Sequence, residues 1–540
     1  MTRRLGVVSA IAVVVAAAFL PGSGFGSSAA VVRDTQKIPA ALVNAIHARL
    51  GAGAIRLGAA ARREGDPNLG IGVALSADGT TALVGAPGVA GNKGAAYIFH
   101  ASDAGSWSSS GKPVATLAKS ESGQSLFGAA VALSADGTTA LVSAPFAGPG
   151  VFGAGAIYVF HTSAEDAWSS SSAPAATLTI PHSSPLDFLF GVSLALSPDG
   201  TTLVAGAPFY NGFSGEAVVF HASSEDTWAS TSTPTAVLST AAGSAAGISV
   251  AISGDGTTAL VSDSGIPGGG GAYVYHVSAE NAWPTNPAPT AALTKAGSAA
   301  KDDVGSYVAL SGDGTVALLG AYGVSSQKGA VDVFHSAGEA AWTSTSTPTA
   351  TLTNAGGSAG DDFGETLVLS TDGTTALVLA DGVAAGRGAG YVFHVSDEGA
   401  WASSSTPTAT LTKAGAHAED SIIIGGLSTD GATAIVGAYR VRSGTGAAYV
   451  FHASDASSWA TSATPNATLT NDALAACVVP KLKGLKLRAA KSALLVGRCR
   501  LGRVTRVHST HRKKGRVLRQ SRKTGTRLPI GAKIAVRVGK

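Results

Sequence analysis

Short apolar runs separated by polar turns recur along most of the chain. The first copy shows the pattern. Ile71-Gly-Val-Ala-Leu-Ser76 is short and β-rich, and Ser-Ala-Asp78-Gly79 turns it into Thr81-Ala-Leu-Val84. Asp-Gly between two such runs is a hairpin signal, because glycine accepts the positive φ that a turn needs. A glycine-rich loop leads to Ala95-Ala-Tyr-Ile-Phe99, whose β-branched and aromatic residues suit a strand. After a polar Ser/Asp/Trp stretch comes a fourth run, Val114-Ala-Thr-Leu117. Each copy therefore predicts four short strands.

Seven copies keep these landmarks in register. The Asp-Gly aspartates are Asp78, Asp136, Asp199, Asp255, Asp313, Asp372 and Asp430, at steps of 58, 63, 56, 58, 59 and 58 residues. All seven tryptophans, Trp107, Trp168, Trp228, Trp283, Trp342, Trp401 and Trp459, lie seven residues after a histidine that follows an aromatic. A proline follows each tryptophan by six residues and opens a P-x-A-x-L segment. A period of this size means stacked supersecondary units. Four-stranded units without an intervening helical period predict a seven-bladed β-propeller, whose radial repetition avoids long exposed edges. The propeller is placed at 54–475. Either Ala54-Ile-Arg-Leu57 or Ala467-Thr-Leu469 could complete a blade shared by the two ends of the chain.

The units resemble bacterial FG-GAP repeats, relatives of the integrin α-chain propeller. The first half stands as Phe127-Gly128, Phe190-Gly191 and Phe363-Gly364, softened to Leu69-Gly70, Val304-Gly305 and Ile424-Gly425. The second half is Gly85-Ala-Pro87, Ser143-Ala-Pro145 and Gly206-Ala-Pro208, drifting to Gly320-Ala-Tyr322 and Gly437-Ala-Tyr439. It is lost in the copies holding Asp263 and Asp381. The resemblance covers about 54–470. Integrin-like copies often carry a D-x-[DN]-x-D-G calcium loop, but these loops offer one carboxylate each, too few for a cation that takes six or more oxygens. The aspartates are read as turn residues, and no cofactor or metal is expected.

The net charge of +4 conceals an asymmetry. Residues 481–540 hold 20 of the 38 Lys/Arg and no Asp or Glu, which leaves 18 basic against 34 acidic residues elsewhere, a balance of −16. Such a split implies two modules with different partners. Leu487–Val496 reads as an amphipathic helix, and 503–507, 516–520 and 533–538 alternate like strands. This β-α-β-β order resembles a PASTA domain, carried by Val479-Pro480-x-x-x-Gly484, the alanine-rich helix, Gly515-Arg-Val-Leu-Arg-Gln-Ser521, Gly525-Thr and Pro529-x-Gly531. The fold class is thus an all-β propeller followed by a small α+β, PASTA-like domain at 476–540. The resemblance implies docking to peptidoglycan or another anionic wall polymer, with Lys481, Lys483, Arg512, Lys513, Lys514 and Arg516 as candidate contacts. Cys477 and Cys499 are the only cysteines. An even count in an exported chain points to a disulfide, with two free buried thiols as the alternative.

Export itself is read from the N-terminus. Arg3-Arg4, an apolar run from Leu5 to Leu20 and small residues ending Ser28-Ala-Ala30 have the order of a secretory signal. Residues 1–30 are assigned to it and 31–53 to a helical leader. The apolar run is short for a spanning helix, so no integral span is expected in the mature chain. Asn466-Ala-Thr matches a glycosylation sequon but falls in an expected strand.

Seven equivalent histidines spread around a ring cannot converge on one ion, and are read as packed strand ends. The tryptophans are read as packing anchors between blades. Residues that break the repeat are the better functional candidates. They are the loop Phe146–Phe152, Phe209-Tyr210 with Phe213, Tyr322, Tyr439, and the acid pairs Asp302-Asp303, Asp361-Asp362 and Glu419-Asp420. The pairs are read as solvated loop ends. No nucleophile-elbow, zincin, phosphate-loop or dinucleotide motif is present. Two functions remain: a non-enzymatic binding or adhesion protein held at the wall, with an unknown protein or glycan ligand for the propeller, and a secreted hydrolase or lyase acting on polysaccharide. A carboxylate pair in the central channel would favour the enzyme, and an apolar or aromatic patch on one face the binder.

Overall fold

In a computed structural model, the residues described are 66–540, except 120–123, 149–152, 183–186, 188, 211–213, 241–244, 418–419, 421, 510–513 and 530. The signal sequence, the leader and Ala54–Leu57 lie outside them, as do Arg512, Lys513, Phe213, Glu419 and the end of the Phe146–Phe152 loop.

Seven four-stranded antiparallel sheets follow one another, each built from one continuous stretch of chain. In the first blade the strands are Val73–Leu75, Thr81–Ala86, Ala95–His100 and Ala115–Leu117. The fourth strand begins one residue later than the sequence pattern suggests, and Val114 is exposed. The second strands are buried along their whole length, as expected of central strands covered on both faces. First strands face one another around the centre of the ring. Six of the seven fourth strands reach the next blade through a parallel bridge, such as Leu117 to Ser171 and Leu411 to Ser462, and in blade 3 Val237 N–H donates to the Thr285 carbonyl instead.

The ring closes without a shared blade. Ala467–Leu469 belongs to the last blade's own sheet. Leu469 bridges Ser110 of the first blade, Leu69 bridges Gly446 of the last, and a continuous core joins Val84, Phe99 and Trp107 to Ile435, Val450 and Leu469. Closure therefore rests on side-chain packing and a few backbone hydrogen bonds, such as Thr470 N–H to the Ser110 carbonyl at 2.8 Å.

The Asp-Gly loop is wider than a two-residue hairpin. Gly79 N–H donates to the Ser76 carbonyl at 3.0 Å, and the strands pair only from Leu75 and Ala82 outward. Gly79 has φ +74°, and a Cβ there would meet Thr433 of the neighbouring blade. The last blade departs from the sequence reading. Ile424-Gly425 lies inside its first strand, Ile424–Leu427, and does not form the preceding turn. Ile422 takes the turn position instead, its N–H donating to the Arg387 carbonyl as Phe363 N–H donates to Lys328.

The C-terminal module has the expected helix, Leu487–Val496, and strands Arg500–Val507, Val517–Gln520 and Lys533–Gly539 in one sheet, with the last strand central. A further strand, Arg527–Pro529, pairs with Ala476–Val478. Cys477 and Cys499 form a disulfide with Cα atoms 4.8 Å apart. It is buried in a small core with Leu482, Leu494, Val517 and Ile534. Closing a loop of this size contributes about 3 kcal/mol.

Candidate functional site

Second strands run from the Asp-Gly turn to the GAP position, so the repeated motifs lie on opposite faces of the ring. The Asp-Gly face is close to seven-fold and its residues hold structure. Asp78 accepts from Ser76 Oγ at 2.6 Å and from Thr80 N at 3.0 Å. Burial opposes its charge, but these hydrogen bonds prevail and hold its pKa below the ordinary value, as they do for Asp136, Asp255 and Asp313. Every tryptophan is buried between two blades, and its indole N–H donates to the carbonyl of the Asp-Gly glycine of its own blade. The distances are 2.7–3.0 Å, from Trp107 with Gly79 to Trp459 with Gly431. The histidines end the third strands, and six pair through Nδ1 with a threonine at 2.9–3.0 Å.

A clasp that the sequence reading missed joins neighbouring blades. Glu165 accepts from Thr80 and Thr81 of the preceding blade at 2.8 and 2.7 Å, and Glu225, Glu280 and Glu339 repeat the contact. At the same place Glu398 meets the Asp313 carboxyl. Burial first, and then that carboxyl, push Glu398 up to about 7.

The opposite face breaks symmetry. Ile71, Ala129 and Val192, each following the Phe-Gly position or its Leu-Gly equivalent, form one apolar cluster with Ile423, Leu126, Phe146, Leu189, Phe209 and Tyr439. These residues come from blades 7, 1, 2 and 3. In blade 6 the residue after Phe-Gly is Glu365, and the GAP position contributes Asp381. Glu365 is 2% exposed and neither of its oxygens has a hydrogen bond of ordinary geometry. Burial, then the Asp381 and Asp362 carboxyls, push its pKa well up against the opposing pull of Arg440. Asp362 is buried with a free Oδ1, and burial followed by Asp381 and Asp361 raises it to about 7. Blade 5 adds Asp303, pushed up by burial and by the Asp302 carboxyl against a hydrogen bond from Tyr322, and Tyr322 itself, pushed up by burial and then by the Asp303 carboxyl. Blade 7 adds Arg440, whose guanidinium lies 5.2 Å from the centre of the Tyr439 ring.

Two of the acid pairs, Asp302-Asp303 and Asp361-Asp362, are thus not solvated loop ends, while Glu419 of the third lies outside the described residues. The first member caps a turn, Asp302 accepting from Ala299 N and Asp361 from Ser358 N, while the second turns inward at positive φ, 54° at Asp303 and 59° at Asp362. Asp420 caps in the same way, accepting from His417 N. Loss of the GAP motif at Asp381 marked this place in the sequence. Glu365 was legible only as the one acid in a column of Ile, Ala, Val and Ser. Beside the cluster, a groove of about 530 Å³ opens between blades 5 and 6, lined by Ser326, Gln327, Ser358, Asp361, Gly382 and Ala384. Among the described residues no three His, Cys, Asp or Glu side chains converge as metal ligands would.

On the C-terminal module, Lys481, Lys483, Lys514 and Arg516 are exposed. Two segments bring them together: Gly484 N–H donates to the Val517 carbonyl, and Arg516 Nη1 donates to the Gly484 carbonyl at 2.9 Å. No helix among the described residues is long and apolar enough to cross a membrane.

A seven-bladed propeller carrying a small, strongly basic domain is therefore the class of protein this fold defines. Residues 478–540 match the PASTA domain family. No curated protein matches the chain significantly. The PASTA match, together with the disulfide, indicates an extracytoplasmic role linked to the cell wall.

Proposed function

We propose that this is an exported, cell-wall-associated binding protein. The basic PASTA domain docks it on peptidoglycan or another anionic wall polymer, and the propeller, of the FG-GAP kind, presents a ligand- or partner-binding face. The observation that carries this reading is the segment 481–540, with 20 basic side chains and no acid, within a span that matches a wall-associated family. Exposed charges act over about 8–10 Å at physiological ionic strength, so such docking weakens as salt is added. The test is retention on purified walls at low and high salt, comparing the intact protein with a chain ending at Ala475. Loss of retention on truncation and at high salt supports the reading, and equal retention of the truncated chain refutes it. Salt-insensitive retention assigns a specific muropeptide pocket in place of charge docking, and equally tight binding to DNA reduces the domain to a general polyanion binder.

The carboxyl cluster in blades 5 and 6 favours a second reading, a secreted hydrolase or lyase acting on polysaccharide with Glu365 and Asp381 as an acid and base pair. The burial of Glu365 weighs against it, since a general acid must reach the bond it protonates. Release of reducing ends from wall glycan by the intact protein, abolished in Asp381→Asn, would establish the enzyme.

A further inference from the structure

The outer face of the C-terminal sheet carries charge that nothing within the domain answers. Strand Lys533–Gly539 is central, with Arg500–Val507 parallel on one side and Val517–Gln520 antiparallel on the other. Alternation along the central strand sends Ile534, Val536 and Val538 into the core with Ala490 and Leu494 of the helix. Lys533 and Arg537 therefore turn to the opposite face, and both are exposed. Register sets their neighbours. Arg537 stands opposite Arg519 on one flank and Thr505 on the other, and Lys533 stands opposite Arg500. Arg519 and Arg500 are exposed as well.

Like charges directly opposite one another destabilise a strand pair. An acid among them would remove that cost, yet residues 481–540 contain no Asp or Glu. The ion pairs among the described residues involve none of these four cations. They share a patch about 13 Å long, at about 3.3 Å per residue from Lys533 to Arg537, and about 10 Å wide across three strands. Three of the four are arginines, whose planar fork meets phosphate oxygens two at a time. A tetrahedral phosphate can accept from two forks converging on it, whereas the two oxygens of a carboxylate lie in one plane. A phosphodiester chain also carries its charges along the backbone, where a flat patch can meet several in succession.

Other polyanions fit less well. Residues 481–540 contain no Phe, Tyr or Trp. Single strands of nucleic acid are held by stacking bases on such rings, and proteins that lie on membranes insert them. The disulfide belongs to an oxidising compartment, away from chromosomal DNA.

We propose that this sheet face docks on a phosphodiester-linked polymer of the wall, Arg519 and Arg537 closing on one phosphate and Arg500 and Lys533 on another of the same chain. The inference rests on the wall-association reading and gives it a ligand class. It also places the contact on a face outside the candidates read from the sequence, none of which belongs to these three strands.

The probes are poly(glycerol phosphate) and poly(glutamate) of equal charge, titrated into the intact protein at physiological ionic strength. The expected result is saturable binding of the phosphate polymer, at least about 10-fold tighter than the carboxylate polymer. Arg519→Gln with Arg537→Gln should weaken it at least about 10-fold, and Arg500→Gln with Lys533→Gln should do the same. The second pair keeps the test valid if the first disturbs folding. Arg488→Gln with Lys491→Gln removes the same charge from exposed positions on the helix, across the sheet, and should change affinity less than about 2-fold. Equal affinity for the two polymers, no saturable binding of either, or an equal loss in the helix pair overturns the proposal. Tighter binding of duplex DNA or of phosphatidylglycerol vesicles also overturns it, by assigning the face to nucleic acid or to a membrane. Walls stripped of phosphodiesters with hydrofluoric acid separate this inference from the reading beneath it. Lost retention on stripped walls supports the proposal, and undiminished retention overturns it while leaving wall association standing.

Discussion

Trp342 offers the sharpest test of how the ring is held together. It is 5% exposed and packs between Leu260, Val274 and Leu293 of blade 4 and Leu319 and Phe334 of blade 5. Its indole N–H donates to the Gly314 carbonyl at 2.8 Å. Trp342→Ala removes both contributions. Truncating a buried tryptophan costs about 3–5 kcal/mol, and an orphaned buried carbonyl adds about 1–3 kcal/mol. The sum is of the order of 5 kcal/mol, a large fraction of the roughly 5–15 kcal/mol that a domain commonly has. Trp342→Phe keeps most of the packing and deletes the donor, so its loss should be about 1–2 kcal/mol. For a ring of roughly four hundred residues the unfolding entropy makes each kcal/mol worth about 1 °C. Calorimetry should therefore show a fall of about 5 °C for the alanine variant and 1–2 °C for phenylalanine. Trp107→Ala, at the interface with the last blade, should match Trp342→Ala because it repeats the same contacts. A stable Trp342→Ala protein that loses ligand binding would refute the reasoning and place this ring in recognition.

Other predictions concern charge. The folded-state pKa of Asp362 is raised to about 7 and that of Glu398 to about 7, so both favour the folded state when protonated, and stability falls as pH rises from about 4 through 7. Asp362→Asn should remove a penalty of the order of 4 kcal/mol at pH 8 and flatten the dependence of Tm on pH, and an unchanged profile would dismiss the cluster. Lys295 pairs across blades with Asp332, which is fully buried and also accepts from Thr351 Oγ1 at 2.7 Å. Lys295→Met should cost about 3 kcal/mol by stranding that carboxylate. The double change Lys295→Asn with Asp332→Tyr copies the Asn354 and Tyr391 pair of blades 5 and 6, and urea denaturation should show it recovering most of the loss. Adding chelator should leave Tm unchanged, because each Asp-Gly loop presents one carboxylate, and a fall of several degrees would contradict the turn reading.

The repeat made much of the fold legible, because a spacing kept seven times can be read without knowing any contact. The Asp-Gly turns, the third strands ending in histidine, the basic C-terminal module and its helix Leu487–Val496 all stand where sequence pattern put them. Smaller departures have local causes. Arg527–Pro529 was missed because its partner, Ala476–Val478, lies about fifty residues earlier in the chain. Ile424-Gly425 was mistaken for the turn because a Gly follows an apolar residue there, whereas hydrogen bonding puts Ile422 at that point.

Function was legible only in its charge. The split between 481–540 and the rest is a property of composition and survives any folding. The chemistry of the GAP face is not. Glu365, Asp381, Asp303 and Arg440 come from three blades, and nothing in the order of the chain says that they share one low-dielectric place. A carboxylate in sequence is a solvated charge by default. It becomes a buried, proton-retaining group only when packing removes water and brings like charges beside it. The number of blades and the opposite charge of the two modules follow from local pattern and composition along the chain, so the sequence was enough for both. Tertiary structure alone decided which acids face inward together and that the ring closes by packing between its ends, because both depend on distances between residues that the chain keeps far apart.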